Sequence, residues 1–313
     1  MVRVLDGIDA FFHQLTSVHA LPLFLAVLAH LVRLTCTSTA WRNVLAAAYP
    51  ETRVRRLPIF GAYVAGVGVN AVIPIRAGDA VRVVLAHRTI PGSTYTTVVS
   101  SSFVLMLFDL VAAISLLVWA VTTQHALPPV GSIPDLPSFD FGWLFNRPKV
   151  AEAVIGLLIL AILLFLYWAK DHIANFWGRV RQAFTVLGRP RRYLQTVALW
   201  QFLDWTFRIV TIWFLLAAFG IPQTVHNALL VQVSASLATT LPLTPAGIGT
   251  EQAFLLYVLR GAVASSKLLA FSVGMKLTLI ATNVVVGFTA IFLMMRTVRI
   301  SKTLETAPQK PAR

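Results

Sequence analysis

Five stretches of this 313-residue chain are too long and too apolar for the rest of the chain to cover. They occupy residues 21–48, 94–121, 150–169, 193–219 and 268–295, with 20 to 28 residues in each. At ~1.5 Å of rise per residue, each reaches across a hydrocarbon core about 30 Å thick. Lipid offers the backbone no hydrogen bonds, so only helices or a closed barrel can cross it. The runs lack the period-2 alternation of a barrel strand, and the expected fold is an all-α polytopic membrane protein. Hydrophobic residues make up 57% of the sequence and charged residues 12%, against about 25% charge in a soluble domain.

Two further apolar segments are interrupted. Residues 58–88 carry Pro74, Gly78 and several charges in their middle, and residues 227–260 carry Pro242, Pro245, Gly247 and Gly249. Proline removes a helix hydrogen bond and glycine permits a sharp turn. Each segment is therefore either one broken crossing or a re-entrant hairpin of two half-helices; two full crossings would need about 40 residues plus a turn.

The placement of basic residues separates these options. Arg53, Arg55 and Arg56 stand in the connector at 49–57. Lys170, Arg179, Arg181, Arg189, Arg191 and Arg192 stand in the one at 170–192, and Arg296, Arg299, Lys302, Lys310 and Arg313 in the tail. The proline-rich connector at 122–149 sets only Arg147 and Lys149 against Asp135 and Asp140. With two re-entrant hairpins and an external N-terminus, every basic cluster is cytoplasmic, as positive-inside topology requires; with single crossings, either orientation places a basic cluster outside. The expectation is about five spans plus two hairpins, one dipping from each face.

That arrangement contains an inverted-topology repeat. Span, hairpin and span recur at 21–121 and 193–295, joined by the linking span 150–169, within one transmembrane domain at 1–297. A basic cytoplasmic tail at 298–313 is expected to be disordered. The breaks also read alike, Ile73-Pro74-Ile75-Arg76-Ala77-Gly78 beside Leu241-Pro242-Leu243-Thr244-Pro245-Ala246-Gly247. Inverted repeats with broken helices near the midplane are a plan used for moving solutes.

Ionisable groups inside spans are costly and face protein or water. Here they are Arg33, Arg76, Asp79, Arg82, Asp109, Asp204, Arg208, Glu251 and Lys276. Asp204 and Arg208, spaced i,i+4, can pair on one helix face, and such a pair can also serve packing alone. In each hairpin the second half-helix starts near mid-membrane, where its free N–H groups attract an anion. Arg76 and Gly78 at the first break fit a phosphate or other anion; Asp79 and Glu251 can equally cap their own helices. The bases and aromatics of 170–192 fit either a solvated loop or the anionic inner leaflet. The single cysteine, Cys36, and the scattered histidines form no metal-binding spacing, and no P-loop, HExxH or GxSxG motif occurs. No cofactor, metal or enzymatic activity is expected. The net charge of +14 is accounted for by cytoplasmic loops and needs no nucleic-acid partner.

The run from Asn70 through Pro74, Arg76, Gly78 and Asp79 to Arg82 resembles the N-x-x-x-P-x-R-x-G-[ED]-x-x-R signature of the lysylphosphatidylglycerol synthase transmembrane-region family, flippase-like membrane proteins of bacteria and archaea. Leu241 to Glu251, with Thr244, Pro245, Gly247 and Gly249, is similar to its second signature, L-P-x-[ST]-P-G-G-x-G-x-x-E, with one shifted position. The likeness spans about residues 20–297. It implies lipid translocation, members being associated with aminoacylated phosphatidylglycerol, hopanoids and polyprenyl-linked sugars. There are departures. Leu105 and Met106 stand where members often have Glu and Arg before the aspartate matching Asp109, Ala246 replaces a usual glycine, and many members carry one more N-terminal span. The aminoacyl-transferase activity of relatives resides in a separate soluble domain, and a stand-alone transmembrane module is expected here.

The expected function is a lipid flippase or lipid transporter of the inner (plasma) membrane, carrying a phospholipid, hopanoid or polyprenyl-linked lipid. In this reading Arg76, Arg82 and Lys276 neutralise phosphate, Asp79, Asp109 and Glu251 meet cationic or hydroxyl groups, and Asn70, Pro74, Gly78, Asp204, Arg208, Thr244, Pro245, Gly247 and Gly249 complete the site. The alternatives are a small-solute or anion transporter, with a water path sealed from lipid, and a non-catalytic membrane partner of a lipid-modifying enzyme. Membrane lipids are the expected partners, with such an enzyme or a second copy of the chain as further candidates.

Overall fold

The computed structural model describes residues 18–73, 76–124, 178, 180–240, 250–259 and 263–305. Among them the chain is helical, without strands. The main helices are α1 (Ala20–Ala48), α2 (Arg56–Val72), α3 (Ala77–Thr89), α4 (Tyr95–Gln124), α5 (Pro190–Ala218), α6 (Val225–Thr240), α7 (Thr250–Val258) and α8 (Ser265–Glu305). By length and composition α1, α4, α5 and α8 can each cross a membrane. They match four of the five expected spans; the fifth, at 150–169, lies outside the described residues, as does 125–149.

The central seam is antiparallel. The backbone N–H of His19 donates to Ala218 O (2.9 Å) at one end, and Asn43 Nδ2 donates to Thr196 O (2.6 Å) toward the other, so α1 and α5 run past each other along their length. Pro190 opens α5 at its first turn, where a missing N–H costs nothing, and the next turn widens into a π-helical turn over Leu194–Ala198. Large apolar side chains point outward around the bundle, among them Phe24, Phe103, Val111, Phe202, Val285 and Phe292. Helices apolar on every face belong in lipid.

α2 and α3 double back on each other. A side chain at Gly66 on α2 would run into Gly78 O and the Cβ of Arg82 on α3, so the two backbones touch and only glycine fits between them. α2 also packs along α8: a Cβ at Gly68 would lie 2.7 Å from the Cα of Gly287. α6 and α7 likewise pack on one another.

The hairpins open toward opposite ends of the bundle. The outer ends of α2 and α3 lie beside the C-terminal end of α1, where the Thr94 N–H donates to the Tyr49 hydroxyl, Arg42 Nε to Val54 O and Gln182 Nε2 to Ala48 O. The outer ends of α6 and α7 lie beside the other end, where Trp119 stacks edge-on against His226 and Lys267 Nζ donates to Gly220 O. The C-terminal end of α2 and the N-terminal end of α3 therefore lie toward the middle, as do the facing ends of α6 and α7.

α8 runs on to Glu305, past residue 295 where the last expected span ends. Residues 295–305 contain helix formers and no proline or glycine until Pro308, so nothing local stops it.

Candidate functional site

The first break is organised by Asn70, in the last turn of α2. Its Oδ1 accepts the N–H of Gly78 (2.8 Å) and its Nδ2 donates to Asp79 Oδ1 (3.2 Å). Asn70 thereby satisfies a free N–H at the start of α3, as a capping side chain does, but from the opposite arm of the hairpin. Arg76 immediately precedes α3 with φ 57°, the left-handed region. That conformation costs a non-glycine residue about 1–2 kcal/mol, and the return of α3 along α2 imposes it. The Arg76 side chain is exposed and has no hydrogen bond or ion pair among the described residues. Asp79 faces Arg82 one turn along, at 3.6 Å from Nε, and the Arg82 guanidinium lies 5.6 Å from the centre of the Trp41 ring.

These residues border a cavity of about 690 Å³ between α3 and α4. Arg76, Asp79 and Arg82 line its α3 side. Asp109, Ser102, Leu105 and Met106 line its α4 side, and Thr37, Trp41 and Tyr63 its floor. Tyr95, Val99, Phe103 and Met106 on α4 border the cavity and are also exposed outward. The cavity thus has charge beside the start of α3 and an exposed, apolar stretch of α4 on its other side.

Behind Asp109 stands a second set of charges across the α1–α5 seam. The Asp204 carboxylate, 1% exposed, accepts a hydrogen bond from Arg208 Nη2 (2.9 Å) and another from the Thr37 hydroxyl, and it faces Arg33 Nε at 3.6 Å. Arg208 also lies over the Trp205 ring (4.7 Å), and Trp205 Nε1 donates to Asp109 Oδ1 (2.8 Å). His30 Nε2 lies 2.8 Å from Asn283 Oδ1 and ties α1 to α8. A carboxylate this buried persists only when paired and hydrogen-bonded, and two arginines and a threonine do this for Asp204.

At the second hairpin Glu251, in the first turn of α7, is buried and pairs with Lys276 of α8 at 2.9 Å. Both border another cavity, of about 310 Å³, together with His30, Arg33, Arg208 and Gln232. Among the described residues the two cavities share no lining residue. Thr37 borders the first and Arg33 and Arg208 the second, with Asp204 bonded to residues of both.

The candidate residues are thus brought together in two groups. Asn70, Arg76, Gly78, Asp79, Arg82 and Asp109 gather around the first cavity, and Glu251, Lys276 and Arg208 around the second, with Asp204 between them. Of the three residues expected to neutralise phosphate, Arg76 and Arg82 border the first cavity, whereas Lys276 borders the second and pairs with Glu251. Pro74, Thr244, Pro245, Gly247 and Gly249 lie outside the described residues. Leu105 and Met106 line the first cavity. The residues the candidate set omits are Arg33, Thr37, His30, Asn283 and Trp205. Arg33 carried a signal, a charge within an apolar run; the others pair across more than 90 residues of sequence. Among the described residues no group of three His, Cys, Asp or Glu is placed to hold a metal ion.

Known proteins match this chain on sequence. The family described as Lysylphosphatidylglycerol synthase TM region matches residues 2–287. The chain is 25% identical over 198 residues to a protein of Methanocaldococcus jannaschii named as a UPF0104 membrane protein, an overlap covering 61% of this chain and 79% of that protein. No solved structure matches.

Proposed function

This chain belongs to the lysylphosphatidylglycerol synthase TM-region family of membrane proteins, and from that premise we propose that it is a lipid flippase or lipid transporter of the inner membrane. It is a multi-pass membrane protein. The observation that carries the proposal is the form of the first cavity. Its charged end, at Arg76, Asp79 and Arg82, suits a headgroup, and its rim at Val99, Phe103 and Met106 is apolar and faces outward. A lipid needs such a combination, because its headgroup must leave water while its tails remain in the bilayer. A site for a small solute is instead walled off from lipid.

In this reading α2–α3 and α6–α7 are re-entrant hairpins of inverted repeats, entering from opposite faces. The pairing of α1 with α5 and the opposite openings of the hairpins support that reading. The Arg76 guanidinium, poised at the start of α3, meets the phosphate, helped by the positive end of that helix's dipole. Asp204 with Thr37, Arg33 and Arg208 separates the two cavities, so passage requires that cluster to rearrange.

The test is reconstitution into vesicles with acyl-chain-labelled phospholipids and an impermeant quencher. The wild-type chain is expected to move lipid faster than protein-free vesicles do, and Arg76→Ala to slow that movement about tenfold, as loss of one charge-assisted contact implies. Wild-type vesicles indistinguishable from empty ones would sink the proposal; an Arg76→Ala variant that keeps the full rate would remove Arg76 from it.

A further inference from the structure

The chemistry of the first cavity narrows its ligand, on the premise that the cavity receives a lipid headgroup. Among the described residues, four arginines and three carboxylates stand in or directly behind it: Arg76, Arg82, Arg33 and Arg208 against Asp79, Asp109 and Asp204. Each carboxylate is engaged. Asp79 accepts from Asn70 and faces Arg82. Asp204 is held by Thr37, Arg208 and Arg33. Asp109 accepts from Trp205, whose ring carries Arg208. The charge left over is that of Arg76, exposed and without a side-chain partner among the described residues. On the α4 side the same cavity is lined by Val99, Phe103, Leu105 and Met106, with Met106 59% exposed. That wall has no carboxylate to receive a cation above Asp109.

The geometry points to a selective headgroup site: the cavity takes an anionic lipid whose headgroup bears no positive charge beyond the phosphate, and it disfavours a headgroup carrying an amine or aminoacyl group. Arg76 supplies the single unmatched charge for the phosphate. An ammonium beside it would meet Leu105 and Met106, which offer no counter-charge for its desolvation. Met106 is then a specificity-determining residue, because a carboxylate at that exposed position would supply the missing partner.

The experiment uses the full-length chain and two acyl-labelled probes, phosphatidylglycerol and phosphatidylglycerol carrying a lysyl ester. Equilibrium binding of short-chain forms is measured in detergent, and translocation of long-chain forms in vesicles. The wild type is expected to bind and move phosphatidylglycerol at least tenfold better than the lysyl ester. Met106→Glu, at a site with room for the change, is expected to reduce that ratio by tenfold or more, and Met106→Gln to leave it near the wild-type value. Equal handling of the two lipids by the wild type, preference for the lysyl ester, or a ratio that Met106→Glu does not move each overturns the inference while leaving a flippase intact. Selective binding without translocation of either lipid upholds the inference and overturns the transport reading.

Discussion

At the first hairpin, Asp79 is paired with Arg82 on its own helix, and Arg76 stands exposed beside them without a partner among the described residues. At the second, Glu251 is buried and its charge is matched by Lys276 of the neighbouring long helix. Both hairpins place an acidic residue in the first turn of the returning helix. The first is held by backbone contact through Gly66 and Gly78 and by the Asn70 side chain, which leaves its charges available to a ligand. The second uses its charge to fix α7 against α8. The charge beside the first break is thus left exposed where a glycine contact and Asn70 hold α2 and α3 together, and the charge at the start of α7 is committed to an ion pair with α8.

The largest effect is expected at the backbone contact itself. Gly66→Leu would force α3 away from α2, with backbone and the Arg82 Cβ in the way, at about 3 kcal/mol or more. Thermal unfolding followed by size exclusion should show little folded protein. A well-folded variant would mean that the hairpin is not closed through this contact.

Glu251→Ala comes next. It leaves Lys276 without its partner, at about 2–3 kcal/mol, the lower side of what a broken buried pair costs, because the Lys276 side chain keeps 25% of its surface exposed. Removing the cation as well, in Glu251→Ala with Lys276→Met, should recover at least half of the lost stability. A double variant no better than the single one would show that the pair does not hold α7 to α8.

Asn70→Ala removes the remote cap of α3, and a loss of about 1–2 kcal/mol is expected. The same measurement, read with lipid binding, separates the brace from a ligand contact: a brace lowers the melting temperature first and affinity only through it.

The smallest change in stability carries the opposite sign. Arg76→Gly relieves the left-handed backbone and should raise stability by about 1 kcal/mol while weakening anion binding. A loss of stability would show that Arg76 is structural after all.

How much of this was legible in the sequence follows from the range of each interaction. Spans at 21–48, 94–121, 193–219 and 268–295 are written in local composition, and each has its helix. Pro74 and Gly78 announced the first break, and the i,i+4 spacing of Asp204 and Arg208 announced their pair. The contacts that divide the interior into two cavities were not legible. Arg33 meets Asp204, Asp109 meets Trp205, and Glu251 meets Lys276 through the packing of separate helices. No spacing rule links such positions, which is why the pairing of Lys276 with Glu251 could not be read from the sequence.

The central claim is that the first cavity opens sideways to lipid, and Met106 offers the most direct measurement of it. Cys36 is the sole native cysteine and is buried, so Met106→Cys on a Cys36→Ser background gives one labelling site on the cavity rim. With a fluorophore there and the protein in vesicles, nitroxides on lipid acyl chains should quench the probe strongly and aqueous iodide only weakly. Strong quenching by iodide with none from lipid-borne nitroxide would mean a water-filled path closed to the bilayer, and would contradict the account.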